Sequence, residues 1–183
     1  PSAVFAIVAA GLKPEQRLSV SEWSDKNRYL SSRASSEPGL WRTSRTPYLR
    51  EILDCLSTGS PFDEVVFMKG SQIGATEAGS NWLGYIIDHA PGPALAVSPT
   101  VELAKRYSKQ RIEPLIEECP SLREKVKPAR ERDSGNTTLQ KDFPGGTLVL
   151  TGANSAVGLR SIPVRFGFFD EISAWPGDNG EGD

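Results

Sequence analysis

Two short stretches of this chain carry residue types suited to phosphate chemistry. The first is Lys69-Gly70-Ser71-Gln72-Ile73-Gly74-Ala75-Thr76, with Glu77 directly after it. A glycine-bearing turn that ends a strand and opens a helix points backbone amides at an anion, and a hydroxyl at its end can ligate Mg²⁺. The usual spacing of such a loop has glycine first and lysine seventh. Here Lys69 stands first and Ala75 seventh. A lysine at the entrance can still serve, because its ammonium is a point charge on a flexible stem that folds over phosphate oxygens. Taken alone, the loop reads equally well as a glycine-rich turn with an exposed lysine.

The second stretch is Asp170-Glu171, which follows the apolar run Phe166 to Phe169. A buried strand cannot hold two carboxylates cheaply, so they belong at its carboxyl end, where ligands collect in open α/β sheets. Asp170 is placed to hold Mg²⁺ and Glu171 to orient and deprotonate an attacking water. Alone, the pair reads more simply as a helix-capping turn. Strand, loop and helix followed roughly a hundred residues later by apolar strand and Asp-Glu is a far more specific layout, that of a nucleoside triphosphatase.

The elements that must position these residues follow from pattern. Ser19 to Glu22 is a capping box that opens a helix, with Trp23, Tyr29 and Leu30 as apolar anchors. Residues 31–39 read as a loop. Pro47 opens a second helix with Leu49, Ile52, Leu53 and Leu56 on one face and Gly59 beyond its end. From there strands and helices alternate. Glu64 to Met68 reads as a short buried strand, and a helix then runs to about His89 through Ala78, Trp82, Leu83 and Ile86. Ala94 to Val97 is a strand, followed by a turn and a long helix that Pro114 is expected to kink. Thr137 to Phe143 and Thr147 to Thr151 flank Pro144-Gly145-Gly146 as a hairpin, and Val164 to Phe169 is the last strand. This order predicts an α/β fold with a mainly parallel central sheet behind a helical lead-in. The expected division is residues 1–46 for the lead-in and 47–183 for the core.

Composition narrows the function. The chain has 183 residues, a size that buries a substantial core, and its 38% hydrophobic content is that of an ordinary globular domain. A formal charge of −2 gives no overall basic field, which argues against a module that simply coats DNA. A grip on DNA through a local patch remains compatible with that charge. Cys55 and Cys119 stand far apart and read as buried thiols, and one histidine with two cysteines is too few for a structural zinc site. The run Val4 to Ala10 lacks the basic start of a signal peptide and reads as a short packed helix; no stretch is long enough to span a bilayer.

The chain resembles the lambda-type (GpA) family of phage terminase large subunits in their ATPase domain, from about Leu18 to Pro176. The resemblance rests on Trp41-Arg42-Thr43-Ser44-Arg45-Thr46-Pro47-Tyr48, on Met68 to Glu77, on Val97-Ser98-Pro99-Thr100, on Gly158-Leu159-Arg160-Ser161 and on Phe168-Phe169-Asp170-Glu171-Ile172. A phosphate-loop lysine displaced to the first position is itself a trait of that family. The resemblance implies a P-loop (RecA/ASCE-like) nucleoside triphosphatase that uses ATP and Mg²⁺ to move double-stranded DNA into a procapsid. It implies Lys69, Gly70, Ser71, Gln72, Ile73, Gly74, Ala75, Thr76 and Glu77 around the triphosphate. It also implies Thr76 and Asp170 for the metal, Glu171 and Lys69 for catalysis, and Tyr48 near the adenine, where Leu49 departs from the family's usual glutamine. Arg160 matches an arginine proposed to act on the ATP of a neighbouring subunit. The implied partners are double-stranded DNA, the small terminase subunit, the portal protein and further copies in a ring, in the host cytoplasm and away from membrane.

One departure is large. The family continues with further ATPase strands, a coupling motif and a nuclease domain that this sequence does not contain, so the sheet is expected to be C-terminally incomplete. A helicase-like ATPase and a P-loop scaffold that no longer hydrolyses ATP stand as alternatives, the latter because of Ala75.

Overall fold

The computed structural model describes residues 17–32, 35, 37–127, 136–155, 159 and 162–177. The first element is helix α1, Val20–Asn27. Ser19 caps it as expected: its hydroxyl accepts from the Glu22 amide at 3.3 Å, and the Glu22 carboxylate accepts from the Ser19 amide at 2.9 Å. A two-residue bridge follows, β1 (Tyr29–Leu30) against β2 (Gly39–Leu40), antiparallel. Helix α2 spans Tyr48–Cys55 and buries Leu49 and Leu53, the inward pair of the face read from sequence.

Helix α3, Ala75–His89, is the longest in the chain as described, and nine of its residues are buried. It lies in the middle of the protein because small residues let neighbours approach it. At Gly84, a Cβ would stand 2.5 Å from the Trp23 ring of α1. The indole of Trp23 donates to Asp88 at 2.7 Å, and Lys125 pairs with the same carboxylate at 2.9 Å. Burial alone would raise the Asp88 carboxyl, but these two partners hold it below its ordinary value. Val20, Trp23 and Trp41 thus share one core cluster with Leu83, Ile86, Leu115 and Leu148.

Among the described residues the sheet has four strands: β3 (Ala94–Ser98), β4 (Gln140–Phe143), β5 (Gly146–Gly152) and β6 (Phe166–Phe169), in the order β4-β5-β3-β6. Strand β3 is parallel to both β5 and β6, whereas β4 pairs antiparallel with β5. A mixed, mostly parallel sheet with helices packed on it is the expected α/β class. Every residue of β3 is buried, as befits a central parallel strand. The turn from β4 to β5 uses Gly145 at φ +87°, a conformation an L side chain rarely adopts. The first hairpin strand begins at Gln140 rather than Thr137.

Between β3 and β4 the chain is helical: α4 (Val101–Tyr107), a π-helical turn (Ser108–Ile112), α5 (Glu113–Glu118) and α6 (Pro120–Lys125). The break expected at Pro114 falls just before it. Proline has no amide to donate, and the helix accommodates it by widening the preceding turn.

The strand expected at Glu64 to Met68 is not formed. The segment has no ladder partner, and Val66 and Met68 are 81% and 96% exposed. Strand formation depends on a partner backbone, and among the described residues none pairs with this segment. Strand β6 is likewise only partly buried, and among the described residues it pairs on one side only. The apolar run Val4 to Ala10 lies outside the described residues. Among the described residues, no helix is long and apolar enough to cross a membrane.

Candidate nucleotide site at the carboxyl edge of the sheet

The loop before α3 owes its shape to two left-handed residues. Gly74, the residue that caps α3, has φ +80°, and Gln72 has φ +61°. Among the described residues no side chain caps the start of α3, which leaves its first amides available to a ligand. A helix N-terminus with unclaimed amides and positive dipole end is a natural anion site. A Cβ on Gly70 would meet nothing within 4 Å, so its loop position is open to solvent.

The second limb arrives on β6. Its backbone stays in register with β3 one residue past the strand, where the Asp170 amide donates to the Val97 carbonyl at 3.0 Å. The Trp175 indole donates to the Asp170 carbonyl at 3.0 Å and pins the turn from the other side. The two limbs then meet. The Thr76 hydroxyl donates to Asp170 Oδ2 at 2.9 Å across 94 residues of sequence. Lys69 Nζ stands 3.6 Å from Asp170 Oδ1, an ion pair longer than a hydrogen bond. Both side chains are sheltered, at 26% and 17% exposure, which strengthens the attraction over that of a surface pair.

Glu171 follows with φ +51°, and its amide donates to Asp170 Oδ1 at 3.0 Å. Gln72 and Glu171 are the described non-glycine residues with positive φ, and both lie in this site. Such backbone is uncommon for either residue type and gathers where the surroundings over-determine it. Glu171 is exposed and Asp170 is not, so the two carboxylates have different environments.

The donor set fits Mg²⁺. It offers a hydroxyl and a carboxylate, both hard oxygens, already 2.9 Å apart, and a lysine beside the same carboxylate that demonstrates its appetite for positive charge. The described residues hold no group of three or more His, Cys, Asp and Glu suited to enclosing a metal. Mg²⁺ is usually held by one or two protein oxygens together with substrate phosphates and water.

The remaining expected residues divide. The Tyr48 hydroxyl donates to the Ile73 carbonyl at 3.1 Å while its ring is 53% exposed, so it leans on the loop from α2. Ser71, Ile73 and Ala75 sit within the loop and the helix start. The Glu77 carboxylate lies between Arg28, at 2.9 Å, and Arg111, at 2.8 Å. Arg160 lies outside the described residues. Sequence reasoning missed Arg28, Ser80, Tyr107 and Arg111, which stand behind the loop. The Ser80 hydroxyl donates to the Thr76 carbonyl at 2.9 Å and lies 3.0 Å from the Tyr107 hydroxyl. Burial pushes the Tyr107 phenol well above its ordinary value, so it stays protonated. Only the four-residue spacings Thr76 to Ser80 and Tyr107 to Arg111, one helical turn each, hinted at these contacts.

Residues 35–183 match the family model for the ATPase domain of the phage terminase large subunit gpA. The chain is 29% identical over 177 residues to the large terminase subunit of Escherichia phage lambda, covering 93% of this chain and 27% of that protein. It is 26% identical over 162 residues to the large terminase subunit of Enterobacteria phage P21, covering 88% of this chain and 25% of that one. The chain therefore spans about a quarter of the length of these curated relatives. No solved structure matches it. With its family model covering most of the sequence, the chain belongs to the phage terminase large subunit gpA family, in its ATPase domain.

Proposed function

We propose that this protein binds ATP with Mg²⁺ at the Lys69–Thr76 loop and hydrolyses it to drive double-stranded DNA into a procapsid. The observation that carries this reading is the meeting of Lys69, Thr76 and Asp170, from segments far apart in sequence, beside the free N-terminus of α3. The loop and the strand delivering Asp170 then act as the two limbs of a P-loop fold of the RecA/ASCE-like kind, with 1–46 as lead-in and 47–183 as core.

Catalysis of phosphoryl transfer is chiefly positioning and charge stabilisation. The amides of Gly70 to Thr76 cradle the phosphates, and Lys69 swings from Asp170 onto the β- and γ-phosphate oxygens. Thr76 and Asp170 would hold Mg²⁺, which would neutralise phosphate charge and polarise the γ-phosphoryl group. Glu171 aligns a water and takes its proton as the water oxygen bonds to the γ-phosphorus and the bond to the β–γ bridging oxygen breaks. Tyr48 lies on the adenine side. Arg160 completes the γ-phosphate contacts of a neighbouring subunit in a ring. The partners of this reading are double-stranded DNA, the small terminase subunit and the portal protein, met in the host cytoplasm.

Lys69→Ala tests it directly. In the full-length gene product, kcat for ATP should fall by roughly 10²–10³-fold, the scale for losing one charge-stabilising donor, with circular dichroism unchanged. Near-normal turnover would make Lys69 an ordinary solvated lysine and remove the loop from the chemistry.

A further inference from the structure

The first turn of α3 must aim the Thr76 hydroxyl, and three side chains from two separate parts of the chain clasp that turn from behind. Arg28, just past α1, is 1% exposed. It donates to Glu77 at 2.9 Å, to Asn81 at 3.1 Å and to the Tyr29 carbonyl at 2.8 Å. Arg111, in the π-helical turn, meets the other Glu77 oxygen at 2.8 Å as a close ion pair. Tyr107, four residues earlier, reaches the Ser80 hydroxyl at 3.0 Å, and Ser80 bonds the Thr76 carbonyl at 2.9 Å. The side chain of Glu77 is 18% exposed, and a carboxylate so sheltered persists because a guanidinium stands on each side of it.

These contacts converge on Thr76, Glu77, Ser80 and Asn81, which share one stripe of α3. Their geometric effect is therefore on the backbone of Thr76 and the rotation of the helix start.

We propose that Glu77 and Tyr107 are positioning residues, which fix the first turn of α3 between the lead-in and the π-helical turn and so aim the Thr76 hydroxyl at the nucleotide-bound Mg²⁺. This rests on the reading of the Lys69–Thr76 loop as the ATP site. It also assigns the Glu77 side chain to the support of the loop, leaving only its backbone to the phosphates. Groups that orient a metal ligand typically change metal affinity or activity by about 10–100-fold when removed.

The test uses the full-length gene product and a fluorescent ATP analogue, with Kd measured in EDTA and across a Mg²⁺ titration. Tyr107→Phe keeps the ring beside Phe168 and deletes one hydroxyl. It should raise the Mg²⁺ concentration for half-maximal tightening by about 10-fold or more, with Kd in EDTA and the unfolding midpoint unchanged. Glu77→Gln should shift the same midpoint in the same direction, and Arg111→Lys, which keeps the charge, should shift it less. If Glu77→Gln does not fold, Tyr107→Phe decides alone. Wild-type Mg²⁺ dependence in folded Tyr107→Phe would overturn the proposal and leave the clasp a purely architectural feature. Failure of the wild-type protein to bind the analogue, or equal binding by Lys69→Ala, would instead overturn the site reading and the clasp's role with it.

Discussion

At the scale of single residues, the two carboxylates after β6 have diverged in environment before any ligand arrives. Asp170 is sheltered and engaged by Thr76 and Lys69, whereas Glu171 is exposed and held in left-handed backbone. That backbone costs on the order of 1–3 kcal/mol, and it turns the chain away from the strand at the position where a water would be activated. The division of labour makes a specific expectation. Glu171→Gln should keep ATP-analogue binding near wild type while turnover falls by about 10²–10⁴-fold, the worth of general-base assistance. Asp170→Asn should act on a different axis, raising the Mg²⁺ requirement. Phosphate-release and binding measurements on the same preparations separate the two. Wild-type turnover by Glu171→Gln would make Glu171 a turn residue only.

At the scale of elements, the site exists because α3 and β6 approach closely enough for Thr76 to touch Asp170. The approach is made at Gly79, where an added Cβ would collide with the Phe168 ring. Helix propensity alone favours alanine over glycine by about 1 kcal/mol. The collision opposes it, because overpacking typically costs about 1–3 kcal/mol. Gly79→Ala should therefore destabilise rather than stabilise, and should weaken Mg²⁺-dependent ATP binding as the two limbs are pushed apart. Adding Phe168→Leu, which removes the colliding atoms, should recover part of both losses. Denaturant unfolding and ligand titration check this, and a stabilised Gly79→Ala protein would mean that the ring yields freely. The π-helical turn belongs to the same scale: it carries Arg111 and follows Tyr107, so the widened turn ahead of Pro114 lies against the back of the site.

At the scale of the whole molecule, the lead-in is part of the core rather than an attachment. Trp23 packs on Gly84, and Arg28 reaches the residue after Thr76. Val66, Met68, Phe169 and Ile172, by contrast, are exposed. The proposed arginine in trans makes an expectation about assembly. Arg160→Ala subunits, which keep Lys69 and Glu171, and Glu171→Gln subunits, which keep Arg160, should each be nearly inactive alone. Mixed, they should regain part of the ATPase rate, because such an arginine can be worth about 10³-fold or more. Full activity of Arg160→Ala in the assembled protein would remove that arginine from the mechanism.

The sequence by itself determined what depends on local order. The capping box at Ser19, the helix through Ala78 and Ile86, the buried strand at Ala94, the hairpin at Gly145 and the glycine-bearing turn before Ala75 each follow from neighbouring residues. So did the candidacy of Lys69, Thr76 and Asp170, whose types and spacing were visible along the chain. Only the tertiary structure decided which of them touch, since a 94-residue separation closes through the pairing of β6 with β3 and not through any local rule. It also decided against a strand at Glu64 to Met68, because an apolar run supplies side chains to bury but not a partner backbone. And it alone turned Glu77 toward Arg28 and Arg111. A carboxylate goes where two positive charges can share its burial, and those charges came from elements that no motif linked.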